Sequence, residues 1–291
     1  MSTCPARAAL AGNPSDAFGG AVVAVPVRDL TAMTSTSEAE RFSIRAKDPE
    51  LHRLLEATIE VYADTQRALP NVTLSASTSI PRSVGLAGSS ALVIATLRGL
   101  AAWTSHRWDA IELAELALSV ERDRLGIAAG LQDRLVQAVG KPISMTFDPV
   151  GYEPLIGVDD LPLFVAWWTD AASPSDTFHR SLRRRYEAGD ERTVTGLREL
   201  AHQAQLAALA IRGRDLTELG RAMNRSFDLR CEMAPVDPRQ IELIETGRRA
   251  GAATNSAGSG GSVIGLVRDI DDLDAVMSEY ERLGAHVLAL G

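Results

Sequence analysis

The chain has 291 residues, a hydrophobic fraction of 45% and a formal net charge of -8, which is enough for one large domain or two ordinary ones with a sizeable core. The acidic balance argues against a nucleic-acid surface. No run reaches the roughly 18 apolar residues of a membrane span, and residues 1–12 lack the basic start and long apolar stretch of a secretory signal. We therefore expect a cytoplasmic protein with neither nucleic-acid nor membrane partners.

Cys4 and Cys231 are the only cysteines in the sequence, and neither lies in a Cys-x-x-Cys motif or a Cys/His cluster. This spacing favours two reduced thiols over a disulfide framework or a zinc site. One dense basic run, at residues 180–185, is interpreted as the solvated face of a helix.

The first unusual segment is a polar turn near the start of the chain. Alanine and valine residues predict short strands at 6–10 and 21–27, and the turn at 12–20 joins them. A proline restrains its backbone. The turn carries several acceptors: Asn13, Ser15 and Asp16. Taken alone, it fits either an ordinary polar hairpin loop or a loop that binds a ligand.

The central segment is a loop of small residues, Pro-Arg-Ser-Val-Gly-Leu-Ala-Gly-Ser-Ser-Ala at 81–91, which continues into an apolar helical stretch at 92–102. Apolar residues at helical spacing predict a preceding helix at 49–69, and alternation predicts a strand at 72–80. A strand, a glycine turn and a helix in this order are the context that a phosphate-binding loop needs.

Several residues give this loop the chemistry of an anion-binding site. Gly85 and Gly88 allow tight turning and close approach of the backbone to a ligand. Ser89 and Ser90 are expected where the helix begins, with their hydroxyls facing its unpaired N–H groups. The helix dipole favours a polyphosphate there, and a serine hydroxyl beside phosphate oxygens suits magnesium. The alternative is an ordinary capped helix after a flexible turn.

Charged residues concentrate at the end of the next helix, predicted at 109–124. They precede a Gly-Ile-Ala-Ala-Gly-Leu bend that brings Gln132 and Asp133 to the start of a further helix. A carboxylate held beside a cation such as Arg134 can accept the proton of an attacking hydroxyl and stay ionised at neutral pH. The alternative is that Asp133 only caps a helix at 134–139.

The second half of the chain is predicted to form a second domain. Glycine, proline and aspartate accumulate in the middle of the chain, which separates domain 1–155 from domain 156–291. A polar loop at 169–177 follows, in which Asp170 and Ser173 belong either to a plain connection or to a ligand site. The remaining predicted elements are strands at 163–168, 251–255, 263–267 and 286–290, and helices at 175–188, 191–211, 215–230, 238–250 and 271–283.

A third loop, Asn-Ser-Ala-Gly-Ser-Gly-Gly-Ser at 255–262, leads into one of these strands. A flexible linker would not be embedded between strands, so its glycines are interpreted as allowing close approach to a ligand or to the first loop. The sequence lacks the Gly-x-x-x-x-Gly-Lys-Ser/Thr loop of P-loop NTPases and a Gly-x-Gly-x-x-Gly after the first strand. These two nucleotide-binding folds are therefore disfavoured.

In order and content, these segments resemble the motifs of the GHMP small-molecule kinases along nearly the whole chain. The central loop resembles that family's Pro-x-x-x-Gly-Leu-x-x-Ser-Ser-Ala phosphate loop in its longer form, with one extra residue before the serine pair. The Gly-Ile-x-Ala-Gly-Leu-Gln-Asp-Arg stretch that ends at Arg134 is closest to the glucuronokinase and heptose-kinase branch. The resemblance implies an α+β, two-domain GHMP kinase fold. Its N-terminal domain would be similar to ribosomal protein S5 domain 2, its C-terminal domain would be ferredoxin-like with extra helices, and the sites would lie in the cleft between them.

The resemblance also implies that the γ-phosphoryl group of ATP is transferred to a hydroxyl, with Mg²⁺ as the metal and the anomeric hydroxyl of a sugar or uronic acid as the leading acceptor. The implied ATP-binding residues are Pro81, Gly85, Leu86, Ala87, Gly88, Ser89, Ser90 and Ala91. The implied substrate-binding residues are Asn13, Ser15, Asp16, Gly19, Gln132, Asp133, Ser259 and Gly260. The implied metal ligands are Glu121 and Ser90, with Ser89 as the other candidate serine.

The implied catalytic residues are Asp133, which takes the proton, and Arg7. A lysine often stands at the start of the first strand in this family, and Arg7 occupies that place here. Whether Arg7 takes over the lysine's role stays open, because a guanidinium is a planar fork and an ammonium is a compact charge. Arg7, Arg82 and Arg134 are the candidates for holding the carboxylate of a uronic acid.

Two alternatives to a sugar-1-kinase stay open. The same kinase chemistry could serve a heptose, another hexose or a mevalonate-type alcohol. A catalytically silent sensor with this fold would bind nucleotide or metabolite without turnover. Glu121, Ser90 and Asp133 weigh against such a sensor, because a pure binder has no use for a base. A homodimer is compatible with either reading.

Overall fold

The computed structural model describes residues 1–66, 69–127, 129–168 and 175–290. Its strands are β1 (Ser2–Ala11), β2 (Ala21–Glu38), β3 (Ser43–Arg45), β4 (Val72–Thr78), β5 (Ile143–Phe147), β6 (Val150–Pro154), β7 (Leu163–Trp167), β8 (Ala253–Ser256), β9 (Ser262–Leu266) and β10 (His286–Leu290). Its α-helices are α1 (Pro49–Gln66), α2 (Gly88–Thr104), α3 (Ala110–Ser119), α4 (Gln132–Val139), α5 (Ser175–Glu187), α6 (Glu191–Gly213), α7 (Leu216–Met233), α8 (Pro238–Arg249) and α9 (Leu273–Leu283).

The chain divides into two compact units that are each assembled from separate segments. Unit 1 consists of Met1–Ala6, Pro26–Ile80 and Ala87–Gly140, and unit 2 consists of Arg7–Val25, Pro81–Leu86 and Lys141–Gly291. The long strands β1 and β2 and the central loop therefore contribute residues to both units. The domain boundary predicted after residue 155 remains a prediction.

Unit 1 combines a small sheet with helices α1 to α4. Residues 32–38 of β2 pair antiparallel with β4, from Ala32 opposite Thr78 to Glu38 opposite Val72, and β3 pairs in parallel with β4. Helix α2 contacts β4 and the other three helices. It is apolar on most faces, as expected of a helix surrounded by the core. The largest fully buried side chains here include Leu55, Tyr62, Leu74, Ile94, Leu97, Leu100 and Leu135.

Unit 2 contains two sets of paired strands and helices α5 to α9. Residues 21–24 of β2 pair with β5, which pairs with β6. The second sheet is antiparallel, in the order β10-β7-β9-β8. In its core the rings of Phe164 and Tyr280 lie 5.3 Å apart. Gly265 leaves the space that the Phe164 ring fills, since a Cβ at this position would overlap the ring.

The sequence patterns located most elements but misjudged several boundaries. β2 has 18 residues and extends far beyond the predicted 21–27. Its second half is rich in Thr and Ser, a composition that indicates a loop rather than a strand. β3, β5 and β6 are absent from the sequence-based prediction. Residues 150–154 form β6 although their glycine and proline indicate irregular chain. The predicted helix at 109–124 is α-helical only to Ser119 and then becomes a π-helix, Val120–Arg124.

Four further predictions concern the cysteines, the basic run, membranes and the loop at 169–177. Both cysteines are free, which confirms the reduced thiols, and burial raises the pKa of the Cys4 thiol to about 12. In the basic run Leu182 is buried, whereas Arg183 is exposed and its guanidinium lies 5.9 Å from the centre of the Phe18 ring. None of the helices in the described part of the chain could cross a membrane. Of the loop predicted at 169–177, residues 169–174, with Asp170 and Ser173, lie outside the described residues, and residues 175–177 begin helix α5 instead.

Candidate active site

The first loop, residues 10–20, holds a buried amide whose acceptor has no protein partner. Asn13 Nδ2 donates to the carbonyl of Gly258 at 3.4 Å. Asn13 is 4% exposed, and its Oδ1 accepts no hydrogen bond from the described residues. A buried acceptor without a donor costs free energy unless a ligand or water supplies the donor. Asn13 Oδ1 is therefore a candidate acceptor for a hydrogen bond from water or from a bound molecule.

The other predicted residues of the first loop shape its turn. Ser15 Oγ donates to the carbonyl of Ala21 at 2.9 Å, and a Cβ on Gly20 would overlap this hydroxyl. Asp16 is buried in the short 3₁₀-helix Ser15–Phe18. Gly19 ends that helix with φ of 77°, and its N–H donates to the carbonyl of Asp16 at 3.3 Å. The hydroxyl of Ser15 thus supports the loop, and Asp16 is placed on a rigid turn.

The phosphate loop, residues 81–91, has an unusual backbone. Ser83, Gly85 and Ala87 all have positive φ, at 57°, 75° and 60°. Only glycine adopts this region without cost, so the serine and the alanine store local strain of the kind that occurs at binding sites. Pro81 is partly buried at the start of the loop, and Leu86 is buried beyond Gly85.

The first half of the phosphate loop packs directly on the third loop, residues 255–262, within unit 2. A Cβ on Gly85 would lie 2.5 Å from the carbonyl oxygen of Gly260 and 3.2 Å from the N of Ser259. In the opposite direction, a Cβ on Gly258 would overlap the carbonyl oxygen of Gly85. The glycines therefore allow two backbones to lie in close contact. The third loop approaches the phosphate loop as well as the first loop.

Two buried arginines hold these loops by their carbonyl groups. Arg7 Nη1 donates to the carbonyl of Gly85 at 2.7 Å and to that of Ala257 at 2.9 Å. Arg230 donates from Nη1 to the carbonyl of Gly258 at 2.8 Å and from Nη2 to that of Ser259 at 2.6 Å. Burial lowers the pKa of Arg230 to about 10, so its side chain is still a cation at neutral pH. The carbonyls of the third loop are thus turned towards fixed positive charges.

In unit 1, helix α2 begins at Gly88 without a side-chain cap. Its N-cap is Ala87, whose side chain has no oxygen. The prediction that the serine hydroxyls face the N–H groups of the helix is wrong for Ser90, because Ser90 Oγ donates to Gln137 Oε1 at 2.6 Å. Ser89 is half-buried in the same turn, and the N–H of Ala91 donates to the carbonyl of Ala87. The absence of a cap leaves the first turn of α2 suited to an external anion.

Glu121 belongs to the π-helix and forms a buried ion pair. Arg134 donates to Glu121 Oε2 from Nε at 2.8 Å and also from Nη2. The two side chains are 3% and 5% exposed. Single π-helical turns occur often at functional sites. Here the π-helix places the acidic side chain of Glu121 beside α4. The α-helix predicted over this segment gave no indication of that position.

Asp133 lies in the first turn of α4 and does not cap it. The N-cap is Leu131, and no side chain makes a cap hydrogen bond there. Asp133 Oδ2 lies 3.7 Å from Arg134 Nη1, and its side chain is 19% exposed. The helix N-terminus and the guanidinium both favour the ionised carboxylate. Gln132, the preceding residue, is buried.

The family models of the GHMP kinases match both halves of the chain. The model for the GHMP kinase N-terminal domain covers residues 53–141, and the model for the GHMP kinase C-terminal domain covers residues 205–286. Glucuronokinase 1 of Arabidopsis thaliana is 31% identical over an alignment that covers 89% of this chain and 82% of that protein. The chain belongs to the GHMP kinases. It is therefore a phosphotransferase that uses an alcohol group as acceptor, and ATP is the donor implied by the family.

Other GHMP kinases match at lower identity. A D-glycero-α-D-manno-heptose 7-phosphate kinase of Campylobacter jejuni is 24% identical over 62% of this chain and 57% of that protein. Among solved structures, galactokinase of Lactococcus lactis superposes with a TM-score of 0.83 at 18% identity, covering 99% of this chain and 92% of that one. A mevalonate kinase of Methanococcus jannaschii gives a TM-score of 0.78 at 15% identity, covering 99% and 96%. These structures support the two-domain GHMP kinase fold.

The predicted metal ligands of this GHMP kinase have suitable chemistry for Mg²⁺. Both contacts from Arg134 end on Oε2 of Glu121, so Oε1 is the candidate oxygen for a cation. Ser90 Oγ lies within hydrogen-bond distance of two acceptors, Gln137 Oε1 at 2.6 Å and the carbonyl oxygen of Ala87 at 3.2 Å. Donation of its hydrogen to either acceptor leaves lone pairs that can ligate a cation. Magnesium in phosphoryl-transfer sites usually needs only one or two carboxylates beside phosphate oxygens and water. Among the described residues, no group of three or more His, Cys, Asp or Glu side chains could hold a metal ion.

Two residues outside the predicted sites, Arg230 and Gln137, hold the loops of this kinase. Arg230 lies in helix α7 and contacts the third loop, 28 residues further along the chain; the sequence around it gives no signal for that contact. Gln137 lies in α4 and contacts Ser90. Its spacing of four residues from Asp133 does give a signal, because residues four apart share a helix face.

Proposed function

We propose that this GHMP kinase is a sugar kinase that transfers the γ-phosphoryl group of ATP to the anomeric hydroxyl of a sugar or uronic acid, in the manner of a glucuronokinase. The observation that carries this proposal is the similarity to the Arabidopsis glucuronokinases, which extends over 89% of the chain at 31% and 32% identity. The segment around Asp133 supports the same chemistry.

The phosphates of ATP are held by backbone N–H groups. The positive φ angles at Ser83, Gly85 and Ala87 curve the loop that leads into α2. Its first turn has no side-chain cap to compete with an anion. Phosphoryl transfer mainly requires positioning and charge stabilisation, so a rigid set of donors supplies much of what the reaction needs.

Asp133 takes the proton of the attacking hydroxyl. As the new oxygen–phosphorus bond forms, the bond between the γ-phosphorus and the bridging oxygen of ADP breaks, and the hydroxyl proton moves to a carboxylate oxygen of Asp133. Arg134 Nη1 lies 3.7 Å from Asp133 Oδ2, and the N-terminus of α4 also presents positive charge to this carboxylate. Magnesium, when bound, neutralises charge on the phosphates, and Glu121 and Ser90 would hold it.

The acceptor is bound by polar groups of the first and third loops. Asn13 Oδ1 accepts a hydrogen bond from a sugar hydroxyl, which satisfies its buried lone pairs. Asp16, Gly19, Gln132, Ser259 and Gly260 remain the other proposed contacts. A uronic acid also brings a carboxylate that needs a cation. Of the three arginines considered, only Arg82 is exposed, so it is the one that meets a ligand arriving from solvent.

An acceptor panel tests this function. ATP consumption is measured with glucuronic acid, galacturonic acid, glucose, galactose, a heptose 7-phosphate and mevalonate, and the product is identified by ³¹P NMR. We expect turnover on a sugar or uronic acid with a phosphate on the anomeric carbon. Turnover on the heptose phosphate or mevalonate only would show that the acceptor is not a free sugar or uronic acid. Nucleotide binding without turnover on any acceptor would favour a sensor. A cytoplasmic location and a homodimer remain predictions.

A further inference from the structure

Helix α4 connects the proposed base with the groups that hold the phosphates. Asp133 lies in its first turn, and Gln137 follows four residues later on the same face. Between them Arg134 binds Glu121. One helix of eight residues therefore carries the proposed base and contacts both proposed metal ligands, Glu121 and Ser90, all within unit 1.

The side chain of Gln137 is fully buried and uses both ends of its amide. Its Oε1 accepts from Ser90 Oγ at 2.6 Å. Its Nε2 donates to the carbonyl of Ala87 at 2.9 Å and to the carbonyl of Pro5 at 3.0 Å. Ala87 is the strained N-cap of α2. The amide thus fixes the proposed metal ligand Ser90, the turn before α2 and the first strand together.

An amide is the side chain that suits this position. Three partners must be satisfied, of which one is a hydroxyl donor and two are carbonyl acceptors. Glutamine offers both an acceptor and two donors, whereas glutamate offers acceptors only and leucine offers neither. The position of α4 itself is also held, because Arg98 Nη2 donates to the carbonyl of Ala138 at 2.6 Å near the end of the helix.

We infer that Gln137 is a positioning residue for phosphoryl transfer. It sets the distance between the Asp133 carboxylate and the phosphate-binding turn, and it orients the Ser90 hydroxyl so that its lone pairs face the metal. This inference rests on the proposed function, since it needs Asp133 as base and Ser90 as ligand. Misplacement of reacting groups by about 1 Å can cost about 100-fold in rate.

The test compares Gln137→Ala and Gln137→Glu with wild type on the acceptor that the wild type uses. The alanine variant loses all three contacts, and the near-isosteric glutamate variant keeps an acceptor for Ser90 but cannot donate to Ala87. We expect kcat to fall about 10- to 100-fold, the Mg²⁺ concentration for half-maximal rate to rise several-fold, and KM for the sugar to change less than about threefold. Gln203→Ala is the matched control, because Gln203 is also a buried helical glutamine and its Nε2 donates only to Glu199 in the contacts observed, at 2.7 Å.

A double-mutant cycle shows whether Gln137 acts through Ser90. If it does, Gln137→Ala lowers kcat by a smaller factor in the Ser90→Ala background than in the wild type, because the contact with Ser90 has already been lost and only the contacts with Ala87 and Pro5 remain to be removed. Each variant is assayed well below its own Tm. Full additivity would overturn the part of the inference in which Gln137 orients Ser90. A lowered Tm with unchanged kcat and unchanged Mg²⁺ dependence would overturn the positioning role as a whole. Failure of this inference can be distinguished from failure of the proposed function. A wild type without turnover would contradict the proposed function, whereas an active wild type with unaffected Gln137 variants would contradict only this inference.

Discussion

Arg7 Nη1 lies 2.7 Å from the carbonyl oxygen of Gly85, so a buried cation from the first strand holds the backbone of the phosphate loop. The same nitrogen donates to Ala257 in the third loop. Arg7, which stands where the family often has a lysine, thus contacts two carbonyls at once. These contacts indicate that Arg7 supports the two loops. A catalytic role for Arg7 remains a prediction.

Replacement of Arg7 tests that role. Arg7→Met leaves two carbonyls without their charged donor, which should lower the free energy of unfolding by about 3 kcal/mol and weaken nucleotide binding. Urea unfolding and the Kd of an ATP analogue measure these effects. Arg212→Met is the control, because the ion pair of Arg212 with Glu153 is on the surface and should contribute less than about 1 kcal/mol. Unchanged stability with lost turnover would place Arg7 in the chemistry instead.

Gly258 should be intolerant of any side chain. In Gly258→Ala the new methyl group meets the carbonyl of Gly85 and the guanidinium of Arg7, so the third loop and the phosphate loop must separate. We expect the Kd for nucleotide to rise about 10-fold or more as the site loosens. Gly213→Ala is the matched control, since a Cβ there meets nothing within 4 Å and its φ is not positive. Equal affinities in the two variants would contradict the proposed role of the loop contact.

The Glu121 carboxylate is predicted to serve both Arg134 and the metal. Glu121→Gln keeps the size of the side chain but removes its charge, so the Mg²⁺ concentration for half-maximal activity should rise about 10-fold or more. Metal titrations of the activity give this value, and thermal unfolding without metal gives the contribution of the ion pair. A lower Tm combined with an unaltered Mg²⁺ titration would leave Glu121 with a structural role alone.

The two thiols should react at very different rates. Burial raises the pKa of Cys4 from 9.0 to about 12, and only the thiolate attacks a disulfide reagent. At pH 8 we expect one thiol, the exposed Cys231, to react in the folded protein and Cys4 to react after unfolding in urea. The raised pKa also stabilises the fold fully below about pH 9, and this contribution is lost as the pH rises towards 12. Two thiols reacting quickly at pH 8 would contradict the buried position of Cys4.

Local sequence was sufficient to find the loops. Each has a composition that restricts the backbone, such as Gly85 in the phosphate loop or the proline after Asn13, and such signals act within a few residues. The helices α6 to α9 were found because their apolar spacing is regular over many turns. The GHMP family was identified from the order of these segments, and the comparisons confirm it.

The remaining features depend on partners that are distant in the sequence. Gln137 contacts Ser90 across 47 residues, and Arg7 contacts Ala257 across 250. No local pattern states which carbonyl will need a donor after folding. The π-helix at Glu121 and the polar second half of β2 were not predicted for the same reason: tertiary contacts override the local conformational preference of these residues. The identity of the acceptor could not be predicted from the sequence either, since it depends on the shapes of loops rather than on motifs.

The most direct test of the account is phosphoryl transfer by Asp133→Asn, which keeps the size of the side chain but removes the base. Single-turnover transfer from labelled ATP is measured on the acceptor used by the wild type, and the Kd for nucleotide is measured with the same protein. We predict that the rate falls by about 100- to 10,000-fold while the Kd stays within about twofold. A transfer rate equal to that of the wild type would contradict the assignment of Asp133 as the base.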